Sequence, residues 1–169
     1  MQAGPLLRGI GLMAIALLGA ELVTNLLGQT LYRPSFLTGW IAAGFVLLVA
    51  IQCCFVPKEL SSFAKRMRSH LLMSAVFLFF FSVHTGGRLP SGWLETLIFA
   101  LASVTLMSAI AGAVLFGSSQ HSEVAERSAE RWVRLQVPLT FSLFALGVFH
   151  GAFVHLQGLL AYVFLYSEG

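Results

Sequence analysis

Five histidines stand in the chain, and four of them, His70, His84, His150 and His155, fall in apolar stretches. Ionisable side chains in such stretches are costly to place in lipid, and they mark functional positions. His70 and His84 are 14 residues apart. At about 100° per residue that spacing returns to nearly the same helix face, and at about 1.5 Å per residue it separates the two by about 21 Å. A helix with one imidazole near each end is what two stacked haems require, because each iron takes one imidazole from it. Counted from the arginines that precede them, Arg68 and Arg134, His84 and His150 are each 16 residues in, so they should share a depth. Gly147 and Gly151 flank His150, which would let a flat ring approach the backbone. Arg88 follows His84 closely and could pair with ligand carboxylates. His84 and His150 are thus candidate axial ligands of one haem iron, with Arg88, Gly147 and Gly151 around it.

The same count places Gln136 opposite His70. Glutamine is not a usual haem ligand, so the expectation is one haem at the His84 level, or none. His70 would then be a relic, a hydrogen-bonding residue, or part of a quinone or partner site. His155 lies five residues after His150, about 140° around the helix, so the two cannot share one metal ion. It serves as a fallback ligand or a contact with another helix or subunit. Glu21 lies in the first apolar stretch. It could hydrogen-bond the free nitrogen of a ligating histidine or serve a proton path. A helix–helix hydrogen bond with Thr24 or Asn25 is the plain alternative.

The elements that must hold these residues are membrane helices. Of 169 residues, 57% are hydrophobic and 10% charged, against about 25% charged in soluble domains. A helix needs about 20 apolar residues to cross the hydrocarbon. Five stretches qualify, at about 6–28, 36–56, 69–85, 93–117 and 135–166. The predicted fold is all-α, a single polytopic domain of five transmembrane helices. Pro57 stops the second span and Gly86-Gly87 the third, while Pro138 stands near the start of the fifth as an N-terminal proline. The first stretch lacks a small-residue cleavage site and is expected to be retained. Spans three and five are separated by one crossing, so they run parallel and are expected side by side.

Five crossings collect Arg8, Lys58, Lys65, Arg66, Arg68, Arg127, Arg131 and Arg134 on one side and leave Arg33 and Arg88 on the other. Lys and Arg gather in short cytoplasmic loops. The expected orientation therefore has a cytoplasmic N-terminus and a periplasmic C-terminus, in a bacterial inner membrane. The 118–134 segment is polar and helix-prone, and it suits an amphipathic turn or two at the cytoplasmic surface, with His121 solvated. Trp93 and Trp132 suit interfacial depth. In the fourth span Ala109, Ala113 and Gly117 form a small-residue stripe for close helix packing. The run Phe77, Phe79, Phe80, Phe81 is read as packing and lipid contact. Cys53 and Cys54 are adjacent, a poor geometry for a disulfide, and are read as packing residues. The net charge is only +3 and sits in short segments, so it marks topology and no nucleic-acid partner is expected.

The stretch HLLMSAVFLFFFSVHTGGRLPSGWLE, followed by a small-residue span and then FHGAFVH, resembles membrane b-type cytochromes, the helical-bundle haem b subunits of respiratory and photosynthetic oxidoreductases. The resemblance covers about residues 69–166. It implies haem b held between helices by His84 and His150. It also implies electron transport between quinone and membrane or periplasmic redox subunits. Gln136 departs from the family's inner haem site.

Two other functions remain open on the residues alone. The chain could be a haem-free structural or assembly subunit, with the histidines making interhelical hydrogen bonds of about 1 kcal/mol each. It could be a small transporter, although it has no inverted repeat and no pair of broken spans. No phosphate loop, dinucleotide fingerprint, zinc spacing or nucleophile elbow occurs. The chain has no complete active site of its own, and any enzymatic role would be as an electron-transfer subunit.

Overall fold

The computed structural model describes residues 3–27, 34–55, 60–86, 88–116 and 123–166. Five helices account for nearly all of them: α1 (Ala3–Leu27), α2 (Pro34–Cys54), α3 (Leu60–Thr85), α4 (Trp93–Phe116) and α5 (Glu123–Tyr166). Each contains a segment long and apolar enough to span a bilayer, from Leu6–Leu26 in α1 to Arg127–Leu160 in α5. The chain is a multi-pass, all-helical membrane protein. Pro57, Gly87, Gly117, His121, Arg33 and Lys58 lie outside the described residues.

Four of the helices form a bundle. α2 packs against both α3 and α5, and α4 packs against the same two. α3 and α5 therefore occupy opposite corners, and they are not the side-by-side pair expected from the sequence. They do run parallel: His70 meets Trp132 at one end, and His84 shares a cavity with His150 at the other. α1 lies outside this square, against α3 and α4. The diagonal arrangement suits a ligand held in the core, because a group between α3 and α5 is walled by α2 and α4.

Small residues set the close approaches. Ala102 and Ala109 on α4 are almost fully buried, as are Ala42 and Ala50 on α2 and Ala20 on α1. In lipid there is no water to drive helices together, so dense contact supplies the attraction. Span three's aromatic run is packing between helices. Phe77 is buried in the core, Phe80 stacks on Phe45 of α2 at 5.9 Å, Phe81 lies against Phe99 of α4, and Phe79 lies against Gly19 of α1.

Two boundaries differ from expectation. α3 starts at Leu60 and carries Lys65, Arg66 and Arg68 within it. α5 starts at Glu123 and runs for 44 residues, so the described part of the 118–134 segment continues straight into the fifth span. The run Glu123–Arg134 is made of good helix formers and contains nothing that stops a helix. Pro138 consequently lies inside α5, exposed on its surface. Two residues on, the Thr140 hydroxyl donates to the carbonyls of Gln136 and Val137 at 2.9 and 3.0 Å. At about 1.5 Å per residue α5 is about 66 Å long, well beyond a bilayer core. Every described side chain from Ala152 to Leu160 is exposed.

Candidate haem site

α3 ends at Thr85, and Gly86 takes the left-handed conformation at φ 60°, where a residue without Cβ is unstrained. Its amide donates to the Val83 carbonyl, and the Arg88 amide donates to that of Thr85, both at 3.2 Å. The chain thus folds back at once and leaves Arg88 over the end of the bundle. Four residues later α4 opens with a capping interaction: Glu95 accepts from the amides of Ser91 and Gly92 at 3.1 and 3.3 Å and from the Ser91 hydroxyl at 3.2 Å, satisfying amides that a helix start leaves open.

Between these two turns lies a cavity of about 310 Å³, lined among others by Phe81, His84, Arg88, Glu95, Phe99 and His150. It adjoins a deeper pocket of about 80 Å³ that shares Phe81, His84, Ile98 and His150 and adds Trp40, Ala42, Val46, Phe77, Leu143, Gly147 and Gly151. The outer part is mixed in polarity and the deeper part is almost wholly apolar. The two imidazoles stand at the junction, His84 from α3 and His150 from α5.

Glycines clear the space around the rings. A Cβ on Gly39 would stand 2.8 Å from His84 Cε1 and 2.9 Å from its Nδ1. The nitrogen-bearing edge of the His84 ring therefore faces the α2 backbone at Gly39. A Cβ on Gly147 would meet no atom within 4 Å, so this position opens into the pocket. One on Gly151 would touch the Trp40 ring at 3.3 Å. Gly39, Trp40 and Glu95 belong to this site but were not picked out from sequence. Gly39 and Trp40 sit in a span with no polar landmark. Glu95 closes the stretch SGWLE, three residues after Gly92, and that capping pattern was the available signal.

The remaining candidates lie elsewhere. Glu21 is exposed on α1 and lines neither pocket. His155 is exposed on α5 beyond the cavity. His70 is 2% exposed at the opposite end of the bundle. Its ring meets Trp132 edge-on at 5.3 Å, and its Nδ1 is 3.8 Å from Cys53 Sγ. The expected neighbour Gln136 is fully buried one turn further along, with its amide nitrogen 3.5 Å from the Thr105 carbonyl. Trp132 does not face lipid: it points into the bundle, where a Cβ on Gly112 would lie 2.7 Å from its ring. The cavity at this level is only about 10 Å³. No flat macrocycle fits there.

Among the described residues, no three His, Cys, Asp or Glu side chains converge as they would around a protein-held metal ion. Comparison with protein-family models, with curated proteins and with solved structures gives no match. The site is therefore read from its own chemistry.

Proposed function

We propose that this chain is a haem b-binding electron-transfer subunit of a membrane redox complex, passing electrons between a quinone and a partner subunit. One observation carries the proposal. His84 and His150, from diagonal helices of a four-helix square, line one cavity with an apolar floor and an arginine at its mouth. Two imidazoles are too few to hold a bare metal ion. They suit an iron that brings four equatorial nitrogens in its own ring. The main cavity falls within the roughly 300–1,000 Å³ of small-ligand sites, and the open side of Gly147 leaves room for a ring face. When bound, haem b supplies one-electron redox chemistry.

The protein's part is to bind and orient. His84 and His150 would ligate the iron from two sides. Gly39, lacking a Cβ, leaves room for the nitrogen-bearing edge of the His84 ring against α2. Phe77, Ile98 and Leu143 keep water from the deeper pocket. Arg88 would pair with propionates at the mouth. The 10 Å³ limit at the His70 level supports a single haem. The charge asymmetry supports a cytoplasmic basic end, and the haem would then lie in the periplasmic half of a bacterial inner membrane.

The direct test is a dithionite-reduced spectrum of the purified chain with haem quantified per polypeptide. The proposal expects a haem b band at one haem per chain. A colourless chain with full helix content would overturn it and leave the structural-subunit and transporter readings.

Two substitutions probe the shape of the site. Gly39→Ala pushes a methyl group against the His84 ring. We expect the fold to persist, with weakened haem retention and a shifted reduced spectrum; an unchanged spectrum would mean that the ring's seat does not matter. Gly147→Leu fills open space. Helix content and melting should hold while haem content falls steeply, measured by absorbance per mole of chain.

A further inference from the structure

We propose that the small cavity at the basic end of the bundle is a binding site for one water molecule, held by Gln52, Arg66 and His70. The cavity of about 10 Å³ is lined by Gln52, Cys53, Arg66, Met67, His70 and Trp132, with Val133. That is about the least space that admits a single water. Three buried polar atoms of its lining residues have no hydrogen-bond partner among the described residues: Gln52 Oε1, Arg66 Nη1 and His70 Nε2. Buried polar groups are nearly always satisfied, by protein or by ordered water. Three such atoms from residues around one water-sized space make a built site.

The surroundings fix what each atom offers. Gln52 Nε2 donates to Ser69 Oγ at 3.2 Å, which leaves the carbonyl oxygen as the free end of the amide. His70 Nδ1 faces the Cys53 thiol at 3.8 Å. With the thiol hydrogen directed to Nδ1, the ring carries its own proton on Nε2. Arg66 can only donate. A water would accept from Arg66 Nη1 and His70 Nε2 and donate to Gln52 Oε1. That makes the three bonds typical of buried water. A halide would accept the two donors but would face the Gln52 carbonyl oxygen, so the site favours water over an anion. Gln52 comes from α2, Arg66 and His70 from α3, and the Trp132 ring of α5 closes one side. The bound water ties α2 to α3.

The site is independent of haem and can be tested on the chain in bilayers without it. The measurement is water-to-protein magnetisation transfer by solid-state NMR on ¹⁵N-labelled protein, with His70→Phe used to assign the His70 ring signal. We expect transfer to His70 Nε2–H well above that to the buried backbone amides of Ala102 and Ala109. In Gln52→Leu it should fall to the level of those amides. A wild-type His70 signal no stronger than theirs overturns the proposal. So does a strong signal that Gln52→Leu leaves unchanged, because the water would then be held by other groups. The wild-type comparison stands even if the variant does not fold.

Discussion

His84→Ala and His150→Ala, each purified from membranes, will have lost most of the reduced haem b absorbance while keeping their helix content. Removing even an outer-shell partner of a metal ligand costs about 10–100-fold in metal affinity; removing an axial ligand from a two-imidazole site should cost at least about tenfold on the same scale. Neither side chain is a fully buried core element, so truncation leaves the bundle standing. His155→Ala and Glu21→Gln serve as controls: both residues are exposed and outside the cavity, and both variants should keep their colour. If His155→Ala bleaches the protein and His150→Ala does not, the ligand assignment on α5 is wrong and the cavity has another purpose. Equal haem content in all four variants would sink the proposed site altogether.

The five spans were legible because lipid imposes a simple rule. Backbone polar groups must be satisfied within each crossing, so length and apolarity are enough to find a helix. Parallel running of α3 and α5 followed from counting crossings. Their diagonal placement did not follow, because it is set by which faces of α2 and α4 are small enough to be approached, and nearly every face of those helices is apolar. Depth counting worked at one end and failed at the other for a related reason. His84 and His150 share a cavity, but Trp132 stands beside His70 in place of Gln136. α5 is already helical from Glu123, and Gly112 provides a slot into which the Trp132 ring fits. A bulky residue on one helix and a missing Cβ on another decide such a contact, and neither is visible in either helix alone. Gly39 escaped notice in the same way: its role is defined by a ring from α3.

The basic end should depend most on Trp132. Its indole is 9% exposed, packs with Met67 and Ala129, meets the His70 ring and donates from Nε1 to the Ser108 carbonyl at 2.9 Å. It therefore links α3, α4 and α5 in one place. In soluble proteins a buried Trp→Ala change costs about 3–5 kcal/mol, part of it the lost transfer from water. A membrane helix separated from its neighbours still sits in lipid, so most of that transfer part drops out and the lost packing and hydrogen bond remain. We expect Trp132→Ala to cost about 2 kcal/mol on this reasoning, which lowers the thermal midpoint by about 4–8 °C for a chain of this size. Circular dichroism melting in detergent measures it. Trp93→Ala is the matched control, since that ring is 78% exposed, and it should leave the midpoint nearly unchanged. Because the proposed haem cavity lies at the other end, Trp132→Ala should lower the midpoint without removing the haem band. A Trp132→Ala protein that melts like wild type would show that the three-helix junction contributes nothing. One that melts early and also bleaches would show that the two ends of the bundle are coupled.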